Sequence, residues 1–392
     1  MPVITNIEDL RQMMRRKIPR AVFDYVDRGS YDELTWRTNT QDLRAIRFRQ
    51  RVLIDADNRD LASTMLGERI AMPVCIAPTG LTGLVHGNGE MLAARAAEAA
   101  GIRYTLSTMS ICSIEDVRSV VKGPFWFQLY VFRDRGFSES VIERARIAGC
   151  TALFVTVDLP LRGQRHADLK NGLEVPPRLK LRNAIDMLTK PAWTAGVLMG
   201  RRKTFGNIQA YLKQQSGDKT RGDVLAAGAW ANENFDGSLS WKDIEWARKL
   251  WPGKLVIKGI LDPADARQAA ELGADAIVVS NHGGRQLDGA PSTVEVLPKI
   301  ANAVGDRIEV LFDGGIRSGQ DVLKALALGA RGCMIGRAYL YGLGAMGEAG
   351  VRKALSLIAS ELKVSMSLTG VRNIGEITPD ILYDRPPDRG SN

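Results

Sequence analysis

The chain is poor in the residues that staple small folds or hold metals. Its 392 residues include four cysteines, Cys75, Cys112, Cys150 and Cys333, widely spaced and without a CxxC pair. That spacing argues against a disulfide framework and a zinc site, and points to a reducing, cytoplasmic setting with no metal. No stretch approaches the roughly 18 uninterrupted apolar residues of a spanning helix. The opening residues, MPVITNIEDLRQMMRRKIPR, lack the apolar core of a secretory signal. Histidine is scarcer than cysteine, with only three in the chain, so any histidine-based chemistry has few candidates. The net charge of +9 permits an anionic substrate, an anionic cofactor, an acidic lipid surface or nucleic acid. No helix-turn-helix, zinc or RNA-binding signature accompanies that charge, so nucleic acid is not expected as a partner.

What the chain does have is a rhythm. Short hydrophobic runs, each followed by a helical stretch, recur eight times: 72–79, 103–108, 125–131, 152–158, 254–260, 275–281, 309–315 and 332–337. Near-continuous apolar strands alternating with helices are the mark of a parallel sheet buried on both faces. Ser113 with Glu115 and Asp116 reads as a helix start, and Gly101, Gly149, Gly273 and Gly329 as helix ends. Eight such units predict an α/β fold, a (β/α)8 TIM barrel spanning about 72–348. The alternative, an open doubly wound sheet, would carry its phosphate-binding glycines after the first strand, whereas here they follow the last two. Residues 1–71 read as a charged helical extension. Residues 159–240 are an insertion after strand four, on the catalytic face, and the tail from residue 384 reads as disordered. We expect residues 1–392 to form a single domain.

Polar residues at the C-terminal ends of barrel strands converge on one mouth and read as chemistry. Here they are Thr79, Ser107, Thr108, Gln128, Tyr130, Thr156, Asp158, Lys258, Ser280, Asn281 and His282. A lysine and a glutamine within apolar strands would be costly without a polar ligand. The loops FDGGIRSG (312–319) and IGRA (335–338) place glycine beside Arg317 and Arg337. Glycines alone could make tight turns, but two successive loops each adding an arginine favour an anion such as phosphate. The segment SNHGGRQLDG (280–289) sets His282 at the sixth strand end beside Arg285. A lone histidine is more often structural; here its position suits a base working next to a carboxylate. His86 and His166 read as incidental.

These segments, with Phe23-Asp24-Tyr25 and the Gly336-Arg337 turn, resemble the FMN-dependent L-2-hydroxy-acid oxidases and dehydrogenases over nearly the whole chain. Within that family, WFQLYV, FRDRGF, SWKDIEW, VIKGILDP, KALALGA and LTGVRNIGEIT resemble the respiratory L-lactate dehydrogenases of bacteria most. The resemblance implies FMN at Ala77, Pro78, Thr79, Ser107, Gln128, Thr156, Lys258 and Ser280, with its phosphate on Asp313, Gly314, Gly315, Arg317, Gly336 and Arg337. It implies Tyr25, Arg165 and Arg285 at the substrate carboxylate, Tyr130 at a substrate oxygen, His282 as catalytic base and Asp158 as its partner. Lys258 would neutralise charge collecting on the reduced flavin. Met109 stands where glycolate oxidase has tryptophan, and Gly80 where many oxidases have alanine, which makes oxygen the less suitable acceptor.

The implied reaction is oxidation of an L-2-hydroxy acid, L-lactate to pyruvate, with electrons passed to quinone or another non-oxygen acceptor. Mandelate or another 2-hydroxy acid is the alternative substrate, and a flavin-binding scaffold the alternative without catalysis. Whether His282 takes the hydroxyl or the C2 proton, the same residues serve. The resemblance also implies a homo-oligomer. The insertion adds one more expectation. Between Arg178 and Arg221 it carries Arg178, Lys180, Arg182, Lys190, Arg201, Arg202, Lys203, Lys213, Lys219 and Arg221 against Asp186 and Asp218, nearly all of the excess charge. Ile185, Met187, Leu188, Trp193, Val197, Leu198, Met199 and Phe205 are interleaved. The mixture suits either a solvated lid or a segment lying in an anionic lipid interface. The resemblance favours the interface, which would place the protein peripherally on the inner face of the cell membrane, released by salt and by deletion of residues 183–215.

Overall fold

The computed structural model describes residues 3–55, 57–161, 163–172, 181–216 and 224–383. The expected disorder after residue 383 and the charges at Arg178, Lys180, Asp218, Lys219 and Arg221 lie outside the described residues.

Eight parallel strands form the sheet: Val74–Ile76, Thr105–Ser107, Trp126–Leu129, Ala152–Thr156, Lys254–Ile260, Ala276–Val279, Glu309–Phe312 and Gly332–Ile335. Each pairs with the next in sequence, the eighth pairs with the first, and a parallel bridge from Ile76 to Tyr104 closes the ring. The predicted (β/α)8 barrel is therefore the fold. Side chains alternate as the pleat requires. Cys75, Trp126, Phe154, Val256, Ala276, Val278, Leu311 and Met334 fill the barrel interior, while Val74, Ile76, Leu255 and Ile257 point outward into the layer shared with the helices. Ser113 caps its helix with Asp116 in a reciprocal box.

The preface is not wholly helical. Helices Ile7–Lys17, Arg20–Asp27 and Leu34–Ala45 are followed by an antiparallel hairpin, Ser63–Met65 with Glu68–Ile70. Met65, Leu66 and Ile70 join the interior cluster, so the hairpin plugs the end of the barrel opposite the mouth. Glu68 fixes it by accepting from Trp126 Nε1 at 3.2 Å and pairing with Arg103. The last helix runs from Arg337 to Thr369 with a break at Met346 and Gly347. It packs along Ile7–Lys17 and so ties the two ends of the described chain together.

The insertion divides into two unlike halves. Helices Gly206–Ser216 and Val224–Asn234 pack on the barrel: Ile208 and Ala231 are buried, and Tyr211 and Trp230 join Phe132, Phe137 and Phe235 in an aromatic cluster with centroids 4.9 to 6.2 Å apart. Such ring contacts hold the half down at the mouth. Helices Leu181–Leu188 and Pro191–Leu198 bury no residue. Leu181, Ile185, Leu188, Leu198 and Met199 are all more than half exposed. Trp193 Nε1 donates to Leu84 O at 2.9 Å, holding this pair of helices beside the barrel.

Candidate active site

The strand ends meet in a cavity with about 1170 Å³ of empty volume, its open mouth included. Of the residues the sequence singled out, Tyr25, Ala77, Pro78, Thr79, Ser107, Tyr130, Arg165, Lys258, His282, Arg285, Asp313, Gly314, Gly315, Arg317, Gly336 and Arg337 line it. Gln128, Thr156, Asp158 and Ser280 lie just behind that wall, bonded to it or on the same strands. Gln128 accepts from Ser107 Oγ at 2.9 Å.

His282 stands at one side of the cavity, its Nδ1 2.9 Å from Asp158 Oδ1. Burial works to raise the pKa of Asp158, but the charge and hydrogen bond of His282, with Lys258 nearby, hold it below the usual carboxylate range. Asp158 is therefore ionised and can only accept, so Nδ1 carries the proton and donates. Nε2 keeps a free lone pair. Burial lowers the pKa of His282 below its ordinary 6.5, and Asp158 offsets only part of that. The ring is neutral at physiological pH, as a base must be.

Lys258 sits on the neighbouring fifth strand, 2.9 Å from Asp313 and donating to Ser280 Oγ at 2.8 Å, the same hydroxyl that accepts from His282 N–H. Burial alone would lower its pKa, yet Asp313 and Asp158 raise it above the ordinary lysine value. It stays a fixed positive charge in a buried place.

Arg165, Arg285, Arg317 and Arg337 line the same cavity. Arg285 lies over the Tyr25 ring at 4.8 Å and donates to the carbonyls of Tyr25 and Arg28. Burial, and Arg165 beside it, push the Arg285 guanidinium down to about 10. Burial, with Arg285 and Arg317 close by, pushes Arg337 down to about 9. An anion would relieve the mutual repulsion of these cations.

Four residues make contacts that the sequence did not show. Arg337 donates to three backbone carbonyls, those of Val26, Gly283 and Arg28 at 2.8 to 2.9 Å, so its guanidinium braces the wall it lines. Thr108 and Asn281 are structural: Thr108 Oγ1 donates to Gln128 O, and Asn281 pairs with Asn39. Phe205, assigned to the lipid-facing segment, is buried and lines the cavity with Leu159 and Phe235. Composition alone does not reveal that the packed half of the insertion supplies this wall. The one signal is an aromatic at each end of this half, Phe205 just before Gly206–Ser216 and Phe235 just after Val224–Asn234.

The cavity can be tested against a flavin mononucleotide, which carries a ring with polar edges, a polyol chain and a phosphate. Gln128 Nε2, Thr156 Oγ1 and Asp313 Oδ1 are buried without a partner among the described residues. Buried polar atoms rarely stay unpaired, so they call for a polar ligand. A Cβ built on Gly336 would meet nothing closer than 3.8 Å, which leaves room at the eighth-strand loop. The residues fit the group.

The family model for FMN-dependent dehydrogenases matches residues 14–384. The chain belongs to that family. This FMN-dependent dehydrogenase is 49% identical to an L-lactate dehydrogenase of Caulobacter vibrioides, over 99% of this chain and 100% of that one. It is 48% identical to an L-lactate dehydrogenase of Pseudomonas aeruginosa, over 97% and 98%. Among solved structures it is similar to a monotopic membrane protein, (S)-mandelate dehydrogenase, with a TM-score of 0.92 and 36% identity over 98% of this chain and all of that one. Its cofactor is FMN.

Proposed function

We propose that this dehydrogenase oxidises L-lactate to pyruvate and passes the electrons to a quinone or another acceptor than oxygen. The observation that carries the reading is the neutral His282, oriented by Asp158, facing the same cavity as Arg285 and Arg165. Ala77, Pro78, Thr79, Ser107, Gln128, Thr156, Lys258 and Ser280 would hold FMN, with Asp313 to Arg317 and Gly336 to Arg337 at its phosphate, and bound FMN would supply the two-electron acceptor. Arg285, Arg165 and Tyr25 bind the substrate carboxylate, and Tyr130 hydrogen-bonds a substrate oxygen. This fixes which face of C2 and which proton His282 meets. His282 Nε2 takes the proton and becomes an imidazolium, which the Asp158 charge stabilises without taking the proton itself. Lys258 stays charged to balance negative charge gathering beside it. The barrel and the packed helices of the insertion act as one catalytic unit, with Phe205 and Phe235 closing one wall of the site.

Full-length likeness to two L-lactate dehydrogenases supports lactate as substrate. Mandelate is the second reading, favoured by the structural likeness to (S)-mandelate dehydrogenase and by Met109 in the cavity wall. Anaerobic titration of the FMN-loaded protein separates them: bleaching by L-lactate at a higher kcat/KM than by L-mandelate, and none by D-lactate, is the expected result. The reverse order makes the protein a mandelate enzyme.

The proposed contact with the inner face of the membrane rests on the exposed apolar face of the helices at 181–198. Among the described residues no helix is long and apolar enough to cross a membrane. The expected electrostatic contribution shrinks, because Arg201 and Arg202 pair with Asp116, and Lys190 and Lys203 donate to backbone carbonyls. Apolar insertion is then the main contribution.

A further inference from the structure

The turn that presents His282 is strained. His282, Gly283 and Gly284 have φ values of 57°, 65° and 71°, three consecutive residues in the left-handed region. A residue with a side chain adopts that conformation only against a steric penalty, and it persists where the surroundings over-determine it. Those surroundings come largely from the N-terminal extension. Ser30 N–H donates to Gly284 O at 2.9 Å, and a Cβ on Gly284 would strike Trp36 N at 2.5 Å.

The most specific of these contacts is an amide pair. Asn39, on helix Leu34–Ala45, and Asn281, which opens the turn, each donate from Nδ2 to the other's Oδ1 at 2.8 Å. The orientation is fixed by backbone N–H groups, which can only donate: Gly284 N–H reaches Asn281 Oδ1 at 3.1 Å and Thr293 N–H reaches Asn39 Oδ1 at 3.2 Å. Asn281 Nδ2 also donates to Pro291 O at 3.2 Å. Both side chains are buried, where an orphaned amide is expensive and a satisfied network is rigid. The Asn39 backbone carbonyl also abuts Gly315, where a Cβ would come within 2.3 Å. One residue of the extension thus touches both the His282 turn and the glycine loop of the seventh strand.

We infer that Asn39 is a positioning residue for His282, clamping the left-handed turn through Asn281 so that the imidazole stays in line with Asp158. The inference rests on His282 as the base. Without Asn39, Asn281 loses its reciprocal partner, the strained turn can relax, and the ring leaves its Asp158 bond. Displacement of a catalytic group by about 1 Å through a change far from the chemistry costs on the order of 100-fold in rate.

The test uses the full-length, FMN-loaded Asn39→Ala and Asn39→Asp variants. Asn39→Asp keeps both acceptor contacts but sets a carboxylate oxygen against Asn281 Oδ1 in place of the donor, and Asn39→Ser, a smaller neutral side chain, serves if Asn39→Ala does not fold. We expect flavin reduction to slow on the order of 100-fold in Asn39→Ala and at least as much in Asn39→Asp, with KM little changed. Hydrogen exchange should rise in the segment 280–289 and not in the first and third strands. Asn39→Ala combined with Asn281→Ala should be no slower than Asn281→Ala alone. Unchanged exchange in 280–289 overturns the clamp, whatever the base is. A uniform rise across the barrel with an unchanged rate per bound FMN makes Asn39 merely structural and also overturns it. Loss of the base assignment itself would show separately, as an active His282→Asn variant.

Discussion

Replacing Asp158 by asparagine removes one charge while leaving an oxygen able to accept from His282 Nδ1. At 2.9 Å, two full charges in a medium of effective dielectric about 20 attract by roughly 6 kcal/mol. That is an upper bound, since Asp158 also feels Lys258. Breaking one side of a buried pair ordinarily costs about 3–5 kcal/mol. The imidazolium exists only after proton transfer, so the loss falls on the transition state and on kcat: roughly 200- to 5000-fold. KM should change little, because Asp158 is placed at the base and not at the carboxylate. The pH profile gives a second, signed readout. kcat/KM requires neutral His282, so it is present at high pH and lost as pH falls through a pKa below 6.5. Asp158 raises that pKa, so Asp158→Asn should move the limb further towards acid. Stopped-flow reduction of bound FMN across pH measures both effects. A rate within about threefold of wild type, or a limb moved towards alkali, would refute the reasoning.

Two further outcomes follow from the same geometry. Arg285→Lys should raise KM and lower kcat together in steady-state assays, because a point charge cannot reproduce a planar fork that also stacks on Tyr25 and bonds two carbonyls; an unchanged KM would remove Arg285 from the carboxylate. The triple change Leu181→Ser, Ile185→Ser and Leu188→Ser should abolish sedimentation with anionic vesicles while leaving flavin reduction intact, and equal partitioning of both proteins would leave these helices as a lid.

The barrel was legible because its strands are buried on both faces and so stand out as apolar runs, each ending in a polar residue where it reaches the mouth. Lys254–Ile260 is found at the predicted residues; the others are shorter, mostly where the chain leaves the ladder towards the cavity, and four of them also start one or two residues late. The hairpin at 63–70 was not legible: two strands of three residues, reading STM and ERI, carry no period, and only contact with the barrel end shapes them. The site was legible through His282, Lys258 and the two arginine loops, all local signals. The Asn39 to Asn281 pair spans 242 residues; Asn281 stands out in the sequence only as a strand-end polar residue and Asn39 not at all, until the fold brings them together. The insertion misled for a related reason. Its two halves share a mixed basic and apolar composition, so only packing separates the exposed face at 181–199 from Phe205 and Tyr211, which are buried against the barrel. A deletion of 183–215 would therefore damage the site as well as the exposed surface.

The central claim is that His282 is the base, and its most direct test is single-turnover reduction of bound FMN by L-lactate under anaerobic conditions, comparing wild type with His282→Asn. The variant should bind FMN normally and be reduced several orders of magnitude more slowly, on the scale expected for loss of a general base together with its oriented proton path. Reduction at the wild-type rate in an FMN-loaded His282→Asn protein would contradict it.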